Sequence, residues 1–194
     1  MSNYFTRGNG FLEAFLAKKR AKKADGLIRD ADRNSKILDF GYGKFPYFLV
    51  HTYFREKHGV DRTEPFLLEG LHLKKINENG SRLLYRSQIF STVTMLAVIE
   101  HIECDEVPFL LREIYRILKP GGRLILTTPT PIGNSILHFM KRVNLVSKEE
   151  IDEHKKSYSL HELENILVSN GFHIVRAGRF EFFMNNYVCA EKIG

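Results

Sequence analysis

The sequence predicts an α/β protein with a doubly wound, mainly parallel sheet and an antiparallel last strand. Three observations carry this. Short apolar runs alternate with longer helix-period segments along most of the 194 residues. The first run, Lys36 to Phe40, is broken at once by Gly41 and Gly43, and a helix-period segment follows. Strand, glycine turn and helix start together present backbone N–H groups to a ligand. The last two runs have no helical segment between them, so a tight connection must make the final strand antiparallel.

Taken in order, Phe11 to Ile28 reads as a helix whose apolar residues include Leu12, Phe15, Leu16, Ala21 and Ala24. Lys18, Lys19, Arg20, Lys22 and Lys23 crowd its polar side. This basic N-terminal helix, within residues 1–30, reads first as a solvated amphipathic helix. Its other reading is a patch for nucleic acid or an anionic surface, but no interleaved aromatics supply a base-stacking platform. Ile37, Leu38 and Phe40 form the opening strand, with Asp39 at its end facing the crevice. Pro46 suits the first turn of a helix to His58, and Gly59 suits its stop.

Phe66 to Leu73 reads as the second strand. In a doubly wound fold an acid near its tip holds ribose hydroxyls. Asp61 has about the right spacing but reads as loop, so Glu69 ranks first and His72 second. Lys74 to Gln88 is polar and abbreviated. Thr92 to Val98 is the next strand and ends in Ile99-Glu100-His101. A helix follows from Val107 to Leu118, with Phe109, Leu110, Ile114 and Ile117 on one face, stopped by Lys119-Pro120-Gly121-Gly122. Arg123 to Thr128 is another strand. Ile136 to Ile151 is amphipathic, then charged. Ser159 with Glu162 forms a capping box for a helix to Ser169. Phe172 to Ala177 and Phe182 to Ala190 are the final strand pair.

Composition sets bounds. Hydrophobic residues are 43% and charged residues 27%, as in globular proteins. No apolar run approaches the length of a membrane span, and the first residues lack the apolar core of a signal peptide. A single domain, 1–194, in the cytoplasm is therefore expected. Cys104 and Cys189 lie far apart, with neither a second Cys nor a His at zinc-finger spacing, so no metal site is expected. The net charge of +6 and pI near 9.3 permit nucleic acid or an anionic membrane as partner without requiring either.

Several segments together resemble one family. Asp39-Phe-Gly41-Tyr42-Gly43 is similar to the first motif of the class I S-adenosylmethionine-dependent methyltransferases, in particular the small-molecule group of the type 11 kind. Phe90 through Glu100-His101 resembles the family's fourth strand and its turn, and Leu118-Lys119-Pro120-Gly121-Gly122 through Pro129 resembles the motif of its fifth. Glu153-His154, Tyr158-Ser159 and Asn170-Gly171-Phe172 are similar to its C-terminal segment. The chain departs from the pattern at Phe45-Pro46, where a third glycine would stand, and at Ser91, where the family often has Asp.

The resemblance implies a Rossmann-like fold with S-adenosylmethionine as cofactor and S-adenosylhomocysteine as product. It implies that Gly41, Tyr42 and Gly43 approach the cofactor's amino-acid part and that Asp39 attracts its ammonium. Glu69 or His72 would take the ribose, and Met95, Leu96 and Ala97 would lie by the adenine or methionine portion. His101 is a candidate general base, since imidazole titrates near neutrality, or else only orders its turn. His154 and Tyr158 are candidate catalytic residues on a cover over the site (residues 131–158), or else a surface histidine and a core tyrosine. The implied acceptor is a small molecule. A nicotinamide-dependent oxidoreductase on a similar sheet is the less favoured enzyme, because Phe45-Pro46 replaces the glycine suited to a pyrophosphate. A non-catalytic S-adenosylmethionine-binding module, or a basic nucleic-acid- or membrane-binding one, is the alternative outside enzymology.

Overall fold

The computed structural model describes residues 11–76, 82–133 and 156–194. Helix α1 (Phe11–Asp25) leads into a 3-10 turn (Asp30–Asn34) and the first strand, β1 (Lys36–Phe40). Then come α2 (Tyr47–His51), β2 (Glu56–Asp61), β3 (Leu71–Lys75) and β4 (Phe90–Leu96). A 3-10 turn (Ile99–His101) connects to α3 (Val107–Ile117), followed by β5 (Leu118–Pro129), α4 (Leu160–Ser169), β6 (Phe172–Phe180) and β7 (Asn185–Lys192). The seven strands form one sheet in the order β3-β2-β1-β4-β5-β7-β6. Strands β1 to β5 pair in parallel, and β7 runs antiparallel to both its neighbours. This is the doubly wound sheet with one reversed strand that the sequence predicts. The order reverses direction between β1 and β4, and ligands bind at such a switch point, outside the carboxyl ends of the strands.

Period-two alternation divides the core between the two faces of the sheet. Leu38, Val93, Met95, Leu124, Leu126 and Val188 face α3 and α4, where Leu110, Leu111, Ile114, Ile117, Leu163 and Leu167 cover them. Ile37, Ile125, Tyr187 and Cys189 face Ala21, Ala24, Leu27, Phe48 and Leu49. On α3 the buried residues recur at Val107, Leu110, Leu111 and Ile114, while Phe109, expected on that face, points outward and is 58% exposed. The capping box of α4 is formed as expected. The Glu162 backbone N–H donates to Ser159 Oγ at 3.2 Å, and the Ser159 N–H donates to Glu162 Oε2 at 2.8 Å.

The region after the glycine turn differs from the expectation. The helix predicted from Pro46 to His58 is only the five residues of α2, and Gly59 lies inside β2 rather than after a helix. Gly59 pairs with Asp39 on one side and Leu73 on the other. A Cβ there would come within 2.8 Å of both Leu73 Cδ2 and Tyr42 Cδ1, so close packing, not helix termination, requires this glycine. The predicted second strand, Phe66 to Leu73, is correspondingly displaced. Phe66 to Gly70 carries no regular structure, with Leu67 fully exposed, and Leu71 begins the edge strand β3.

Among the described residues no helix is long and apolar enough to cross a membrane, and no His, Cys, Asp and Glu group could hold a metal ion. Most of the predicted cover, including His154, lies outside the described residues.

Candidate active site

The carboxyl ends of β1, β2 and β4 converge on the glycine turn. Gly41 adopts a positive φ of 80°, and its N–H donates to the Val60 carbonyl at 2.8 Å. A side chain at Gly41 would strike Val98, whose Cγ2 lies 2.5 Å from the position a Cβ would take. Gly43 also has positive φ, at 73°, but a Cβ there would meet nothing within 4 Å. The first glycine therefore permits close packing of turn on turn, and the second keeps space open beside the backbone.

Asp39 is buried, and Thr94 Oγ1 donates to its Oδ1 at 2.6 Å. Burial, together with the nearby Asp61 carboxylate, pushes its pKa up to about 7 against the pull of that hydrogen bond. A buried carboxylate with a single neutral donor favours a cationic partner.

Asp61 closes the other side. It sits at the tip of β2, 2% exposed, and its Oδ2 accepts the Gly43 N–H at 2.8 Å while Oδ1 accepts the Thr63 N–H at 2.9 Å. This is the strand-tip acid that the sequence placed at Glu69 or His72. Glu69 is an exposed turn residue before β3. His72 lies in β3 with its ring stacked on His58 at 4.8 Å. Neither is at the tip of the strand next to β1. The missed signal was the spacing from the glycine turn, which had pointed to Asp61.

The remaining candidates separate. Tyr42 is buried and its ring packs where Gly59 leaves room. Met95 is fully buried in the core on the α3 face, so its side chain is turned away from the crevice. Leu96 ends the strand, partly buried on the opposite face, and Ala97 follows it with a φ of 58°, its N–H donating to the Thr127 carbonyl at 2.9 Å. His101 is half-buried in the 3-10 turn at the same sheet edge. Tyr158, a candidate catalytic residue, is instead a core residue at 1% exposure, and burial pushes its hydroxyl up to about 12.

A second group of polar residues sits where β5 ends and β7 begins. Glu100 is 1% exposed, and Thr128 Oγ1 donates to its Oε2 at 2.9 Å. Burial pushes the Glu100 carboxyl up to about 7. Asn186, opposite Thr128 in the sheet, donates its amide to the Tyr158 carbonyl at 2.9 Å. Of these residues the sequence singled out Tyr158 as a catalytic candidate and Glu100 as part of the turn after the fourth strand.

The comparisons with known proteins agree with this fold. A family model described as a methyltransferase domain matches residues 10–177. A demethylmenaquinone methyltransferase of Streptomyces griseus is 42% identical over 48 residues, 25% of this chain, and the chain spans only 20% of that enzyme. Among solved structures, an S-adenosylmethionine-dependent methyltransferase from Mesorhizobium loti has a TM-score of 0.65 at 16% identity, over 88% of this chain and 96% of the other. A 1,6-didemethyltoxoflavin-N1-methyltransferase of Burkholderia thailandensis, solved with 1,6-didemethyltoxoflavin and S-adenosylhomocysteine, has a TM-score of 0.68 at 16% identity, over 94% of this chain and 82% of the other. At such identities the structures speak for the fold, while the family model covers most of the sequence itself. On that match the chain belongs to the methyltransferase domain family, within the class I S-adenosylmethionine-dependent group.

Proposed function

We propose that this chain, as a single domain, transfers the methyl group of S-adenosylmethionine to a small-molecule acceptor. The observation that carries the reading is the pairing of buried Asp39 and Asp61 around a glycine turn at the sheet's switch point. The cofactor supplies a methyl group already activated on a sulfonium cation, so the chain's task is alignment and exclusion of water. Asp39 would draw the ammonium of its amino-acid part. Gly43 leaves the turn's backbone open to that part, and Gly41 and Tyr42 hold the turn's shape. Asp61 is the residue for the ribose hydroxyls, in place of Glu69 and His72. Leu96 and Ala97, at the end of β4, would border the adenine or methionine portion. His101, at the carboxyl edge beside them, remains the candidate base of the residues first singled out. Residues 131–158, His154 among them, would cover the acceptor.

Titration calorimetry with S-adenosylhomocysteine and with NADH tests the cofactor assignment. Saturable binding of S-adenosylhomocysteine that is weakened in Asp39→Asn is the expected result. Binding of NADH alone would overturn it. Methyl uptake from labelled S-adenosylmethionine across a panel of small acceptors then tests the reaction.

A further inference from the structure

The surface where α1 passes β6 concentrates positive charge. Lys18, Lys19, Arg20, Lys22 and Lys23 fall close together in a chain whose net charge is +6, so the excess is local. Lys19, Lys22 and Lys23 recur at helical spacing on one side of α1. With Gly26, Leu27 and Arg176 of β6 they line an open groove of about 320 Å³, and no acid is among the described residues that line it. Acids on this side of the sheet are engaged elsewhere. Asp25, at the end of α1, pairs with Arg33 at 3.0 Å and accepts the Thr52 hydroxyl at 2.7 Å, and Glu191 of β7 pairs with Arg123 at 3.0 Å. The lysines rest on aromatic rings instead. Lys23 Nζ lies 3.7 Å from the centroid of the Tyr187 ring and 5.9 Å from that of Phe180, and Lys19 Nζ lies 5.1 Å from that of Phe15. Like charges gathered in this way repel one another, and a polyanionic surface laid over them relieves the repulsion.

A feature of a different kind adjoins the groove. The turn from β6 to β7 carries two adjacent exposed phenylalanines, Phe182 at 96% and Phe183 at 68%. The turn stands beside α1, because Lys19 and Arg20 oppose the rise that burial gives the Glu181 carboxyl. Its backbone is strained. Glu181, Phe182 and Phe183 all have positive φ, at 53°, 53° and 66°, although none is glycine. Thr130 holds the strained turn in place. Its Oγ1 donates to the Phe183 carbonyl at 2.9 Å, and its N–H donates to the Met184 carbonyl at 2.8 Å. Such strain persists where surrounding structure over-determines it, and it gathers at functional sites. Exposed apolar side chains rimmed by charge mark surfaces that meet a partner.

We propose that α1 and the β6–β7 turn dock this protein on an anionic lipid surface. Lys19, Lys22, Lys23 and Arg176 meet the headgroups, while Phe182 and Phe183 enter the boundary between headgroups and acyl chains. The inference stands apart from the methyltransferase reading and needs no acceptor. Charge alone would suit a nucleic acid equally well, and the rings decide between the two. A single strand is held on aromatic faces spaced along the groove that tracks its backbone. Here Tyr187, the ring beneath the groove, is 6% exposed and covered by Lys23. The two most exposed rings sit side by side on one turn at the end of the sheet, which suits an apolar layer entered from one side.

Flotation of the full chain with phosphatidylcholine vesicles, with and without about 30% phosphatidylserine, tests the proposal at about 0.1 M salt. The anionic vesicles should bind at least about tenfold tighter, and the difference should shrink at about 0.5 M salt. Lys19→Gln combined with Lys22→Gln should weaken that binding by about 25-fold, or about fivefold for each charge. Phe182→Ser combined with Phe183→Ser should weaken it by about tenfold or more. Phe109→Ser, at a comparably exposed ring on α3 across the sheet, should leave it unchanged. Urea unfolding of the variants checks that each is folded. Equal binding to the two kinds of vesicle, binding to neither, or binding of polyuridylate without binding of vesicles would each overturn the proposal. So would folded lysine and phenylalanine variants with undiminished binding, or an equal loss in Phe109→Ser.

Discussion

The Asp61 carboxylate, at the tip of β2, accepts the backbone N–H of Gly43 at 2.8 Å and so fixes the glycine turn to the neighbouring strand. Asp61→Ala leaves that N–H and the Thr63 N–H without their acceptor in a buried place. A loss of about 1–3 kcal/mol in urea unfolding is expected. On the proposed assignment of Asp61 to the ribose, S-adenosylhomocysteine affinity should fall by more than the stability change explains. Glu69→Ala, in an exposed turn, should change neither quantity. Equal effects of the two variants on affinity would remove Asp61 from the cofactor site.

The two glycines of the turn should fail in different ways. Gly41→Ala places a Cβ 2.5 Å from Val98 Cγ2 at a φ of 80°. Overpacking and backbone strain together should cost about 2–4 kcal/mol of stability. Gly43→Ala meets no protein atom within 4 Å, so only the strain at positive φ remains, about 1 kcal/mol. Its methyl would stand in the open space proposed for the cofactor. Calorimetry should show a folded Gly43→Ala protein that has lost S-adenosylhomocysteine binding; retained affinity would place the cofactor elsewhere.

These contrasts rest on features unequally visible in the sequence. Strands β1, β4 and β5 were legible because buried parallel strands read as apolar runs. The α4 cap was legible because Ser159 and Glu162 satisfy each other within one turn. Strand β2 was not, since Glu56-Lys57-His58-Gly59 has no apolar signal. Its polar side chains are accommodated only by tertiary partners. Lys57 Nζ donates to the Leu49 carbonyl at 2.8 Å, and the His58 ring packs against His72, Tyr85 and Phe90. With β2 misread as helix, Asp61 could only look like loop.

Stability should depend on pH through Asp39 and Glu100. Burial raises both carboxyls to about 7, above their ordinary values of 3.8 and 4.5. Between those values and about 7 the folded chain holds protons that the unfolded chain has lost. Their contribution is therefore fully present in acid and is lost as pH rises to about 7, beyond which it is flat. Denaturant unfolding at pH 5 and pH 8 should show less stability at pH 8. Asp39→Asn should flatten the slope and stabilise the cofactor-free protein at pH 8. The same variant should bind S-adenosylhomocysteine more weakly, because the ammonium loses its carboxylate. An unchanged slope in Asp39→Asn would show that its carboxyl is not raised.

The strained turn before β7 offers a test of its own. Phe182 is 96% exposed, so replacing it forfeits almost no buried surface, and its φ of 53° is one that glycine adopts freely. Phe182→Gly should therefore stabilise the folded state by up to about 1 kcal/mol, less whatever entropy the glycine adds to the unfolded chain. The turn would also gain freedom, and Glu181 would be held less firmly against Asn185. Unfolding should shift to higher denaturant or stay level. A destabilised variant would mean that the Phe182 ring packs against something that its exposure does not reveal.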